Sequence, residues 1–417
     1  MISKIKNKAK NWLLWSQKYT KTDMLYLARG GFWLTLGQII SSASSFFLAI
    51  AFANLLPKET YGTYKYILSV TSILTIPALS GMGTAITQAV ARGYEGSLIP
   101  ALKTKIRWGL LGGLASLILA GYYYLQGDAT LTISFLISAV FLPFMDSFGI
   151  YDSLLQGRKL FDVSTQYFII SQIIAASALI AALFLTKNLF LILLAYFASW
   201  TLMRFIFLKI TLKKFTPNQN QDPKTISYGK HLSLIGVIGT IAAYLDRLLI
   251  FHYLGAAQVA IYSIAIAPPE QIKGLFKNVN FLALPKFSQR SKEEIKKTIL
   301  SKTLQIILIT IPVVVVYILL APFIFKLFFP KYLDAVIFSQ IFALSLITAG
   351  GIIPYTALQS QTAQKELYLF NFASSIFQII SLFIGVYFFG IMGAIIARIA
   401  TRFFNLITIL YLKNILQ

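Results

Sequence analysis

Two arginines four residues apart, Arg398 and Arg402, stand inside an apolar run near the end of the chain. On a helix that spacing puts both on one face. A guanidinium is permanently charged and donates paired hydrogen bonds, so it suits phosphate or carboxylate oxygens. Arg247, Arg204, Lys273, Arg29 and Arg92 also lie within apolar runs or at their edges, as do the carboxylates Asp146, Asp152, Asp246 and Glu270. Charges are costly in such surroundings, which makes the cations candidates for gripping an anion. Asp146 and Asp246 are the leading candidates for ion coupling, through exchange of H+ or Na+. Asp246 and Arg247 are neighbours and point about 100° apart on a helix. Only one of them can face a cavity squarely, and Arg247 is the ligand candidate. Each has a structural alternative. Arg398 and Arg402 could pair with a carboxylate on another helix, such as Asp246. Arg204 and Lys273 could snorkel to headgroups, and Arg29 and Arg92 could simply fix topology.

The elements that must position these groups are apolar runs of membrane-spanning length. Mean hydropathy is +0.73; 57% of the 417 residues are hydrophobic and only 12% charged. A bilayer accommodates that much apolar surface, and a soluble core does not. The expected fold is an all-α polytopic membrane protein of about twelve spans: 31–55, 61–82, 106–125, 131–153, 163–185, 188–211, 230–251, 257–280, 300–321, 335–358, 366–388 and 391–413. Residues 1–30, with Trp12 and Trp15 among lysines, read as an interfacial amphipathic segment, and no cleavable leader is evident.

Formal charge is +23, and the cations cluster in alternate gaps. Lys103, Lys105 and Arg107 mark one gap, Arg158 and Lys159 the next such gap, and Lys209, Lys213, Lys214, Lys224 and Lys230 another. This follows the positive-inside rule with both termini cytoplasmic, in a bacterial or archaeal cytoplasmic membrane. The charge fits anionic lipid headgroups better than nucleic acid. Residues 213–227 are the most polar interior stretch, and divide the chain into a half at 31–212 and a half at 228–417.

The halves echo each other. LLPKETYGTYKY (55–66) and YLGAAQVAIYSI (253–264) both follow a span and resume with a tyrosine. At an offset of about 198 residues, Gly31 falls on Gly229, Leu56 on Leu254 and Tyr64 on Tyr262. LLQGRKLF (154–161) and ALQSQTAQKEL (357–367) form a second echo. An even number of spans per half implies two six-helix lobes related by a pseudo-two-fold axis along the membrane normal, with alternating access between them.

With no cysteine, disulfides and thiolate metal sites are excluded. The two histidines, His231 and His252, lie near opposite ends of one span and cannot share a metal. No phosphate loop of the Gly-x-x-x-x-Gly-Lys-Ser/Thr type occurs, so hydrolysis of ATP by this chain is not expected. No catalytic residue, metal site or cofactor is expected.

The chain resembles the Wzx-like polysaccharide biosynthesis flippases of the multidrug/oligosaccharidyl-lipid/polysaccharide exporter superfamily. The resemblance runs through LLPKETYGTYKYILSV, DRLLIFHYLGAAQVAIYSIA (246–265), ALPKFS (283–288), LFFPKYLDA (327–335) and GAIIARIATRFFNLITILYLK (393–413). It implies twelve helices in two lobes, and export of an undecaprenyl-diphosphate-linked oligosaccharide, possible partners being polymer-assembly proteins of the same pathway. Arg398, Arg402, Arg247, Lys273, Arg204, Arg29 and Arg92 are then the candidates for lining a cationic cavity. The alternative is an ion-coupled multidrug exporter of the related branch, which would favour carboxylates in the N-terminal lobe. A membrane glycosyltransferase ranks last, because every outer gap is short.

Overall fold

A computed structural model describes residues 24–276, 287, 292–361 and 363–412, with side chains from 31 onward except at 276, 292, 296, 297 and 364. The first half comprises α1 (Met24–Leu55), α2 (Lys58–Leu74), α3 (Met82–Ala91), α4 (Leu98–Leu125), α5 (Ala129–Met145), α6 (Tyr151–Gly157), α7 (Phe161–Leu185) and α8 (Leu189–Lys214). The second comprises α9 (Thr225–Leu254), α10 (Ala256–Phe276), α11 (Lys292–Phe328), α12 (Val336–Ala343), α13 (Ile352–Ser360) and α14 (Gln364–Leu412). Helices satisfy every backbone group internally, as an apolar solvent demands. Polar residues cap them at the turns: Asp128 accepts from the Leu131 amide at 2.9 Å and Asn188 from the Phe190 amide at 2.8 Å.

Among the described residues, nine helices are long and apolar enough to cross a membrane, or ten if α2 and α3, bent by 45°, form one broken span. The break between them holds Pro77, and Leu79 turns left-handed at φ 58°. Two further passes come from α14 and α10. Within α14, Gly390 has φ 58°, a conformation that glycine adopts without penalty. The two legs then run back along each other, with Phe377 stacked on Phe404 at 4.4 Å. The 21-residue α10 carries Pro268, Pro269 and Lys273 among its apolar residues, and its polarity rather than its length sets it apart. About twelve passes result.

The halves meet chiefly through α2, α9 and α10. At the cation-poor face, Gly62 lies so close to the chain that a Cβ there would fall 1.7 Å from the Ala256 carbonyl oxygen. Beside it Tyr66 stacks on Phe251 at 3.8 Å, and Lys58 pairs with Asp334 at 2.8 Å. Asn54 donates to the Phe328 carbonyl at 2.9 Å. At the cation-rich face the Gly81 amide donates to Ser233 Oγ at 3.0 Å, and Arg92 pairs with Asp222 at 2.8 Å. Both ends of the seam are therefore bridged, and the polar space lies between them.

Candidate functional site

That space consists of two adjoining chambers. The larger, about 560 Å³, is lined by Gln38, Lys105, Asp146, Asp152, Gln156 and Arg204 among others. The second, about 470 Å³, runs between the halves past Thr71, Thr75, Tyr196, Gly239, Thr240 and Tyr244. Ser80, Asp146 and Arg204 line both. α5 delivers Asp146 at its C-terminal cap, three residues after Pro143.

Asp146 holds two cations. Lys105 Nζ donates to it at 2.7 Å, and Arg204 stands 3.9 Å away. Lys105 also donates to the Leu79 carbonyl at 3.2 Å, an acceptor exposed by the break between α2 and α3. Arg204 Nη1 donates to the Met145 carbonyl at 2.7 Å, and the guanidinium lies over Trp200 at 5.4 Å. The Lys105 side chain is 5% exposed, whereas Asp146 is 38% and Arg204 28% exposed. Arg204 therefore faces the chamber and does not reach for headgroups. Asp152 accepts hydrogen bonds from Ser164 and Gln156.

A second cluster fills the core of the C-terminal half. Asp246 is wholly buried and accepts from Tyr262 Oη at 2.6 Å and Arg398 Nη1 at 2.7 Å. Glu270 pairs with Arg402 and lies 3.7 Å from Arg398. Arg402 also donates to Ser345 Oγ at 2.5 Å and sits over Phe342 at 4.7 Å. Arg247 lies 3.8 Å from Asp246, and its Nε is buried without a hydrogen-bond partner among the described residues. Arg402 and Lys273 line a smaller cavity of about 210 Å³ with Tyr355, Phe370 and Asn405.

The candidates therefore separate. Arg204 and Asp146 share the main chambers. Arg398, Arg402 and Asp246 are joined to one another through Glu270 and Tyr262, away from those chambers. Arg92 is exposed and paired with Asp222 at the cation-rich face. The Arg29 side chain lies outside the described residues.

Lys105 is the residue that counting loop cations misplaces. It sits one helical turn beyond Ala101 and one before Gly109, on the buried, small-residue face of α4. A lone cation on a face of small residues was the available signal. Glu270 was legible as an embedded carboxylate, but its two arginine partners come from a helix more than a hundred residues away.

The described residues form an all-helical bundle of about twelve apolar passes around a charged internal chamber. The chain belongs to the polysaccharide biosynthesis protein family, whose match covers residues 27–289. It is 25% identical over 177 residues to a putative O-antigen transporter of Shigella flexneri, a match spanning 41% of this chain and 42% of that protein. Its fold is that of a MATE protein solved in complex with MaD5 (TM-score 0.66, 14% identity, 95% of this chain and 96% of that chain). The lipid II flippase MurJ in an inward closed conformation is similarly alike (TM-score 0.64, 14% identity, 90% and 86%). The chain is therefore a multi-pass helical membrane protein of the polysaccharide biosynthesis protein family.

Proposed function

We propose that this protein flips a lipid-linked oligosaccharide with a diphosphate headgroup across the cytoplasmic membrane by alternating access, both termini facing the cytoplasm. The observation that carries the reading is Arg204, whose guanidinium faces both chambers with one nitrogen engaged by a backbone carbonyl. Its remaining donors suit the paired oxygens of a phosphate. The family and the O-antigen transporter relative support a glycolipid cargo. Lys105 is the reserve cation, released to the headgroup when Asp146 changes partner or protonation. Asp146 is accordingly the coupling group for H+ or Na+, because it is exposed to the chamber, whereas Asp246 is sealed.

The test is transport of a labelled lipid-linked oligosaccharide in proteoliposomes. Losing a charge-assisted contact of about 1.5–3 kcal/mol slows transport roughly tenfold to a hundredfold in Arg204→Gln, with unchanged membrane levels. Normal transport by that variant would remove Arg204 from the site. Asp146→Asn should abolish any dependence of rate on pH or sodium.

A second reading has one observation in its favour: two carboxylates, Asp146 and Asp152, face the larger chamber and balance Lys105 and Arg204. A multidrug exporter of cations would use them. Ethidium efflux by this protein, lost in Asp152→Asn and independent of Arg204, would establish that reading in place of the first.

A further inference from the structure

A groove of about 670 Å³ lies outside the transport chambers, at the cation-rich face. One wall is the first three turns of α4, with Ile99, Pro100, Lys103, Thr104 and Arg107; the other is the connection between the halves, with Pro217, Asn218, Gln219 and Gln221, and then Ile226 of α9. No carboxylate lines it. Lys103 and Arg107 are exposed and take part in no ion pair among the described residues.

The groove is built rather than incidental, because the connection is tied down along its length. The Gly96 amide donates to the Asn220 carbonyl at 2.9 Å, and the Asp222 amide to Ser97 Oγ at 3.0 Å. Glu95 accepts both Arg158 nitrogens, at 2.7 and 2.6 Å, and the Asn218 amide at 2.9 Å.

The position of the groove identifies its ligand. Lys103 and Arg107 are spaced i, i+4, and continuing along the same face of α4 brings exposed Leu111, Leu114 and Ile118. Two cations therefore head an apolar stripe that leads into the hydrocarbon. Trp108, exposed beside them under the Lys230 ammonium at 5.2 Å, is a residue suited to the headgroup boundary. A soluble anion would use the cations alone, whereas a phospholipid would use the cations and the stripe.

We infer that this groove binds the headgroup of an anionic phospholipid, its acyl chains lying along the α4 stripe. One wall belongs to the N-terminal half and the other leads into the C-terminal half. A bound lipid thus holds the halves together at this face and makes the transport cycle sensitive to the anionic lipid content of the leaflet.

The experiment is intact-protein mass spectrometry of the full chain, titrated with phosphatidylglycerol against phosphatidylcholine, with proteoliposome transport at matched compositions. Neutralising Lys103 and Arg107 to Gln should weaken the first phosphatidylglycerol roughly fivefold per cation, leaving phosphatidylcholine binding unchanged. The double variant should also lose the response of transport to phosphatidylglycerol, while Lys103→Arg with Arg107→Lys retains both. An equal loss in a Lys213→Gln, Lys214→Gln control, on the same face but outside the groove, would reduce the effect to general surface charge and overturn the site. Displacement of the lipid by millimolar inorganic phosphate would overturn the lipid assignment. A double variant that melts earlier even in pure phosphatidylcholine would mark the two cations as structural and overturn it as well.

Discussion

The two halves contain comparable ion clusters, one built around a chamber-facing carboxylate and one around a sealed carboxylate. In the N-terminal half, Lys105, Asp146 and Arg204 border chambers, and Asp146 is 38% exposed. In the C-terminal half, Asp246, Glu270, Arg398 and Arg402 pair with one another around a sealed Asp246 at 0%, with Glu270 30% exposed and Arg402 at the edge of the 210 Å³ cavity. A buried cluster that satisfies itself holds helices in register, and removing one member leaves an uncompensated charge. A cluster beside a chamber can exchange partners at smaller cost, because water or a ligand replaces what is lost. Possession of embedded arginines is therefore a weak guide to ligand binding. Spare donors facing an accessible chamber are a better one.

The sharpest way to break this contrast is Arg398→Gln. It leaves Asp246 with Tyr262 and a poorly placed Arg247, and should destabilise the protein by about 3–5 kcal/mol. The expected readout is a fall in membrane level and in Tm in detergent. A variant that melts normally yet fails to transport would show that the cluster around Asp246 belongs to the transport site.

A smaller effect should follow in the other cluster. Lys105→Met removes one buried partner of Asp146 and should cost about 1–3 kcal/mol. Adding Asp146→Asn should cost less than the sum of the two single changes, since neither charge is then left alone. Thermal melts of the three variants measure the coupling, and strict additivity would mean that the 2.7 Å contact contributes nothing.

The pair of exposed Arg92 with half-buried Asp222 sets the lower bound. The Lys224 amide, and then Arg92, hold the Asp222 carboxyl below the usual aspartate range. A lowered folded value means that the contact is present above that range, and fades as pH falls through the lowered value. Asp222→Asn should leave transport unchanged and lower Tm slightly at neutral pH, the difference closing as pH falls through the lowered value. A loss of transport would give this linker contact a part in the cycle.

The same contrast explains what was legible beforehand. The spacing of Arg398 and Arg402 in an apolar run marks them in the sequence, and Asp246 is a candidate partner from another run. Their mutual closure was not visible, because Glu270 and Tyr262 join them from α10. Lys105 was hidden among topology cations, although it lies a full turn or more inside α4. The turn echoes at 55–66 and 253–264 do coincide with the α1–α2 and α9–α10 junctions.

The linear chain settled the solvent of this protein, the rough number of passes and the family. Those follow from the length of apolar runs and from short ordered motifs, which are local properties. Which charges meet, and which of them border open space, was decided only when the helices packed. A one-dimensional pattern gives each side chain a helix face and a depth. Partner and vacancy depend on rotation and proximity between helices hundreds of residues apart, and only the tertiary arrangement fixes those.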